Sequence, residues 1–114
     1  MGLQQGCCPE FWRQHQNFCD WVPTGYEPSD YFNDVFGRDV FDGYVTLAEA
    51  LDLCDGGING LAREAVAALL NASHPYVAYP LTPTEVINMF QYAFDKLEET
   101  ALEFAELNRL GCPL

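Results

Sequence analysis

Residues 58 to 72 read Ile58-Asn59-Gly60-Leu61-Ala62-Arg63-Glu64-Ala65-Val66-Ala67-Ala68-Leu69-Leu70-Asn71-Ala72. Leu61, Ala65, Ala68, Leu69 and Ala72 recur at helical spacing and form one apolar stripe, which Val66 and Leu70 widen. Arg63, Glu64 and Asn71 fall toward the wetter side of the same helix. Alanine favours the helix and lets neighbouring helices approach closely, so propensity and packing agree. The stretch predicts a central helix on which the rest of the chain packs.

Working outward, Gly56-Gly57 stops a preceding helix, Leu47 to about Cys54, which opens on a Thr46…Glu49 capping box. Beyond the central helix, Pro75 and Pro80 mark a loop that carries Tyr76 and Tyr79. Thr82-Pro83-Thr84-Glu85 is a second capping box, with proline in the first helical position. Val86, Phe90, Ala93, Phe94 and Leu97 then give an amphipathic face. Ala101, Phe104, Ala105 and Leu107 carry the period on, opposite an acidic face of Glu98, Glu99, Glu103 and Glu106. One continuous helix and a break near Asp95 to Glu98 both fit this pattern. Gly111 ends it.

Toward the N-terminus, Pro9 fits the first turn of a short helix, with Trp12, His15 and Cys19 on one face. Ser29 is placed to cap a helix from Asp30 to Phe36 that Gly37 closes. Ten aromatic residues crowd the first 44 positions. The short helices there offer too little surface to bury them, so the segment must wrap against the later helices or a partner. The expected fold is all-α: a small disulfide-tied bundle around the Ala-rich helix, as a single domain over 1–114. Residues 1–45 would form an irregular aromatic wrap and 46–114 the helical core.

A chain of 114 residues with 49% hydrophobic content supports one modest core. A net charge of −12 disfavours binding to nucleic acid or to anionic membranes, both of which attract basic surfaces. No apolar run is long enough to span a bilayer, and the opening Met1-Gly2-Leu3-Gln4-Gln5-Gly6 reads neither as a signal peptide nor, with glycine at position 6, as a myristoylation site. A secreted form would therefore be a mature or trimmed chain.

Cys7, Cys8, Cys19, Cys54 and Cys112 are scattered rather than grouped in CxxC pairs, which favours disulfides and an oxidising compartment. Their odd number leaves one free or bonded to another molecule. The residues alone leave the pairing open.

Catalytic chemistry finds little footing. Cys19 one turn from His15 permits a nucleophile–base pair, but a third, orienting group is missing. Cys8, His15 and Cys19 have loose zinc spacing and need Cys54 or Cys7 as a fourth ligand. Aligning Gly43 with the EF-hand glycine places Asp42 and Glu49 well but puts Arg38 and Val40 where ligands belong. Asp30, Asp34, Asp39 and Asp42 offer at most a structural calcium site, so the expectation is an enzyme-free module without a cofactor.

Gly6-Cys7, Pro9, Phe11-Trp12, His15 and Trp21 resemble the opening of a module of secreted and surface proteins of bacteria. The run from Gly56-Gly57 through Asn59, Leu61, Arg63 and Ala65 to Ala72 is similar to its most recognisable part, as are Tyr79-Pro80-Leu81-Thr82, Glu85-Val86-Ile87 and the closing Gly111-Cys112-Pro113-Leu114. The resemblance covers nearly the whole chain. Glu10 and Cys8 depart from it, standing where glycine and threonine are usual. It implies an extracellular surface context and a Cys7–Cys112 pair, and the tendency of domain termini to lie together agrees with that pair. Cys8, Cys19 and Cys54 are then additions: Cys19 with Cys54 as a second disulfide, Cys8 as the intermolecular thiol.

The expected function is structural: a self-associating surface or filament subunit, joined to copies of itself or to a sister subunit by disulfides. Its interface candidates are Trp12, Trp21, Tyr26, Tyr31, Phe41 and Tyr44. The alternative is a module that holds a glycan or apolar ligand on the same aromatic residues.

Overall fold

The Ala-rich stretch forms α4, Gly57–Ser73, in a computed structural model that describes residues 3–114. Met1 and Gly2, on which the myristoylation reading rests, lie outside the described residues. Leu61, Ala65, Ala68 and Leu69 are fully buried, and so are Ala62, Val66, Ala67 and Leu70. The helix is enclosed on nearly every side because α3 (Leu47–Leu51), α5 (Pro83–Gln91), α6 (Leu97–Asn108) and the N-terminal elements all pack against it. Glu64 and Asn71 are therefore buried too, at 4% and 0% exposure, which corrects their assignment to a wet face. Gly57 N–H, at the start of α4, donates to Glu98 Oε1 at 2.9 Å. A carboxylate from the supposedly solvated acidic face thus caps the positive end of the central helix.

Both capping boxes form. Thr46 Oγ1 accepts from Glu49 N–H and Glu49 Oε1 accepts from Thr46 N–H at the start of α3, Leu47–Leu51. Thr82 and Glu85 do the same at the start of α5, Pro83–Gln91. α3 ends three residues earlier than Cys54. The apolar period after Thr82 is split in two: α5 stops at Gln91, and α6, Leu97–Asn108, begins anew. Tight turns close the gap, with Ala93 N–H donating to Phe90 O and Lys96 N–H to Ala93 O. This turn keeps Ala93 in the core while α6 folds back along α4.

The N-terminal segment is more ordered than expected of a wrap. α1, Pro9–Trp12, ends before an extended Gln14, and a 3-10 helix covers His15–Thr24. That break puts Trp12 in the core and leaves His15 and Cys19 exposed, so the three do not share a face. In α2, Phe32–Phe36, the N-cap is Tyr31 rather than Ser29, and Tyr31 is held by a bridge to Thr46.

The aromatic crowding resolves within the chain. Phe32 stacks on Phe36 at 4.5 Å between centroids, and both meet Phe90 of α5, at 5.3 and 4.9 Å. Trp12 and Trp21 pack edge to face, and Trp21 Nε1 donates to Trp12 O. With exposures of 0% and 1%, these two residues are core anchors, which corrects their reading as interface candidates. Ridges of later helices supply the surface that the short N-terminal helices lack.

Candidate functional site

The two ends of the chain meet over one end of α4. Gly6 N–H donates to Gly111 O at 3.0 Å, and Gln5 N–H to Ala78 O at 2.9 Å. Cys7 and Cys112 form a disulfide, with Cα atoms 4.4 Å apart. Any side chain at position 6 would collide with the carbonyl oxygen of Leu107, so the close approach of α6 to the N-terminal strand of chain requires glycine there.

Beneath this clasp lies a buried polar network. Asn71 Oδ1 accepts from Cys7 N–H at 2.9 Å and from Trp12 Nε1–H at 3.1 Å. Asn71 Nδ2 donates to Cys7 O at 2.8 Å and to Asn108 Oδ1 at 3.0 Å. Asn108 Oδ1 also accepts from the Tyr79 hydroxyl at 2.8 Å, and its Nδ2 donates to both Glu64 O and Glu64 Oε1. Each amide therefore uses its full capacity of two donors and two acceptor lone pairs. Arg109 approaches Glu64 Oε1 at 3.5 Å from the rim, and Arg63 lies 4.0 Å from Oε2. Burial, and secondarily the Glu64 carboxylate, push the Tyr79 hydroxyl up, so it stays a neutral donor. Such a network joins α4, α6, α1 and the 74–82 loop through fully satisfied buried polar groups.

His74, which ends α4, is buried beside Trp12, and its Nδ1 accepts from Tyr76 N–H at 3.1 Å. Burial lowers its pKa below 6.5, against a smaller raising effect of Asp20. A depressed folded pKa means that the neutral form is preferred in the folded state. Its contribution is complete above the unfolded value and is lost as pH falls from about 6.5 through the folded value. We expect the imidazole resonances of His74 to titrate with a midpoint below 6.5 and thermal stability to fall across that window. A midpoint at or above 6.5 would contradict the burial of the ring.

The remaining cysteines are unpaired. Cys8 is half-buried beside the clasp, Cys19 is exposed on the 3-10 helix, and Cys54 is exposed in the turn after α3, its thiol directed to Asp52 O. The expected Cys19–Cys54 disulfide is not formed: Cys19, on the 3-10 helix, and Cys54, in the turn after α3, are both free thiols. By exposure, Cys19 and Cys54 face outward more than Cys8 does.

The other candidates separate. Tyr31 and Tyr44 stand together on the surface, edge to face at 5.9 Å, whereas Phe41 is half-buried against Phe32. Tyr26 and the edge of Trp21 wall an open groove of about 540 Å³ with Val22, Glu27 and Asp30. Among the described residues, no three His, Cys, Asp or Glu side chains group as a metal site. That disperses both the Cys8, His15, Cys19 zinc set and the Asp30, Asp34, Asp39, Asp42 calcium set. Asp30 and Asp42 instead accept backbone N–H groups of Glu27 and Tyr44 within their own turns.

Glu64, Asn71, Tyr79 and Asn108 are the residues that sequence reasoning did not single out as a unit. Glu64 and Asn71 lie seven residues apart on an otherwise apolar helix, and that spacing is the signal that pairs them on one buried face. No family model matches the chain, and neither a curated protein nor a solved structure shows significant similarity to it.

Proposed function

We propose that this chain is a non-enzymatic extracellular structural module that joins copies of itself, or a sister subunit, through disulfides. The observation that carries the reading is the exposure of two unpaired thiols, Cys19 and Cys54, on a chain whose ends are already closed by a disulfide. Disulfides persist in oxidising compartments, where exposed thiols find partners. The resemblance to bacterial surface modules supports the same setting. Two linkable thiols per chain allow each subunit to bond two neighbours, and a head-to-tail contact that does not close into a ring propagates as a filament.

Native material oxidised in air is expected to give a covalent ladder on non-reducing electrophoresis that collapses to monomer with reductant. Salt strengthens assembly, since a surface of net charge −12 repels its copies until screened. The Cys19→Ser/Cys54→Ser chain, left with Cys8, is expected to stop at the dimer at most. A monomer indifferent to reductant at high concentration and high salt, with three titratable thiols per chain, overturns the reading.

A binding module is the second reading, favoured by the groove beside Trp21 and Tyr26. Trp12, fully buried, and Tyr44, paired with Tyr31 elsewhere, take no part in it. A change in tryptophan fluorescence on titration with oligosaccharides is the result that would favour it.

A further inference from the structure

The third free thiol sits in a different setting from the other two. Cys8 lines a shallow depression of about 250 Å³ together with Gly6, Asn108, Arg109, Gly111 and Cys112. The residue with the free thiol and one half of the disulfide therefore line the same surface dent. The two sulfurs of that disulfide differ: Cys112 is exposed, whereas Cys7 is fully buried. Glu10, in the first turn of α1 and two residues after Cys8, pairs with Arg109 at 3.8 Å. Partial burial raises the pKa of Glu10. Its own backbone N–H, the Cys8 thiol and the Arg109 and Arg13 guanidinium groups outweigh that and hold the carboxyl below its ordinary range. Cys8 and Arg109 thus line the dent together, and Glu10 reaches Arg109 from α1.

We propose that Cys8 is the attacking thiol of a built-in thiol–disulfide exchange that moves the terminal bond from Cys7–Cys112 to Cys8–Cys112. The Cys8 thiol loses its proton to solvent, and the thiolate attacks Sγ of Cys112, the exposed residue of the pair. The Cys7–Cys112 bond breaks with its electron pair on Cys7 Sγ, which takes up a proton from solvent. One S–S bond breaks and one forms, so no oxidant or reductant is consumed. Attack on Cys7 instead would require access to a buried sulfur and would close a small strained ring between adjacent residues.

The two closures are near-equivalent for the chain. The ring shortens by one residue, a negligible change in closure entropy. The thiol released, Cys7, stays in an apolar site, where a free cysteine behaves as a small inert hydrophobe. The surface differs: one form presents the Cys8 thiol and the other hides the free thiol in the core. Exchange therefore sets how many thiols the molecule offers to a partner, without any change in its redox state.

The test is independent of self-assembly, because it uses the Cys19→Ser/Cys54→Ser chain, kept dilute so that any exchange is intramolecular. The protein is held at a series of pH values, quenched in acid, unfolded and alkylated with N-ethylmaleimide at about pH 5, where exchange is slow. Fragmentation between Cys7 and Cys8 in the mass spectrometer shows which sulfur was free. We expect the label on both, with Cys7 carrying roughly a tenth or more of it once exchange is complete, as a free-energy gap within about 1.4 kcal/mol implies. The approach to that ratio should quicken as pH rises. Label confined to Cys8 at every pH and time overturns the proposal. The same readout on the unaltered chain, in which Cys19 and Cys54 fall in other peptides, serves if the double variant does not fold.

Discussion

Asn71→Leu is expected to lower stability by about 3–5 kcal/mol, enough to unfold much of the population near body temperature. Leucine matches asparagine in size, so the loss comes from hydrogen bonding rather than from a cavity. The Cys7 and Trp12 N–H donors and the Cys7 carbonyl lose the Asn71 side chain as partner, and Asn108 Oδ1 loses one of its two donors, all of them in the interior. Each buried orphan costs about 1–3 kcal/mol, and partial relaxation makes the total less than the sum. Urea denaturation followed by circular dichroism measures it directly, and the melting temperature should fall by roughly 15 °C or more. Glu103→Ala, on the exposed face of α6, provides the control and should change stability by less than about 0.5 kcal/mol. Similar losses in the two variants would show that the Asn71 network is not the keystone of the fold.

Cys112→Ser is expected to have an effect of comparable size by a different route. The disulfide spans 105 residues of sequence, nearly the whole chain. Closing so long a loop removes chain entropy from the unfolded state worth about 4–5 kcal/mol in the loop-entropy model. Because Cys112 itself is exposed, its side chain contributes little packing, so the loss reports the covalent tie. The folded far-ultraviolet spectrum should be retained in dilute buffer only well below body temperature, while the denaturation midpoint moves to much lower urea. An unchanged midpoint would mean that the hydrogen bonds around Gly6 and Gly111 already close the ends without the bond.

The sequence carried the helical frame because its signals are local. The Ala-rich period of α4 and the two capping boxes each depend on residues within one or two turns, and all three appear as read. The burial of Glu64 and Asn71 was not legible in the same way. An amide or carboxylate on a helix looks solvated until its partners are known, and here those partners, Cys7, Trp12, Tyr79 and Asn108, come from distant parts of the chain. The tryptophans were misplaced for the same reason. Counting aromatics in the N-terminal segment says how much surface must be covered, but only the tertiary arrangement says that α4 and α5 cover it. For the site, composition pointed to cysteines, while only three-dimensional placement separates the two exposed thiols from the one set beside a disulfide.

The meeting of the two ends has a mechanical consequence. Tension applied through the chain on either side of the domain enters at Cys7 and leaves at Cys112, whose Cα atoms are 4.4 Å apart. The load path runs through one covalent bond and bypasses the helices between them. A tether pulled at both ends would therefore extend only through its flanking residues, and the bundle would hang from the line as an unstressed side lobe. Moving the bond from Cys7 to Cys8 shifts the point of attachment by a single residue, and the shielding from force would persist through the exchange.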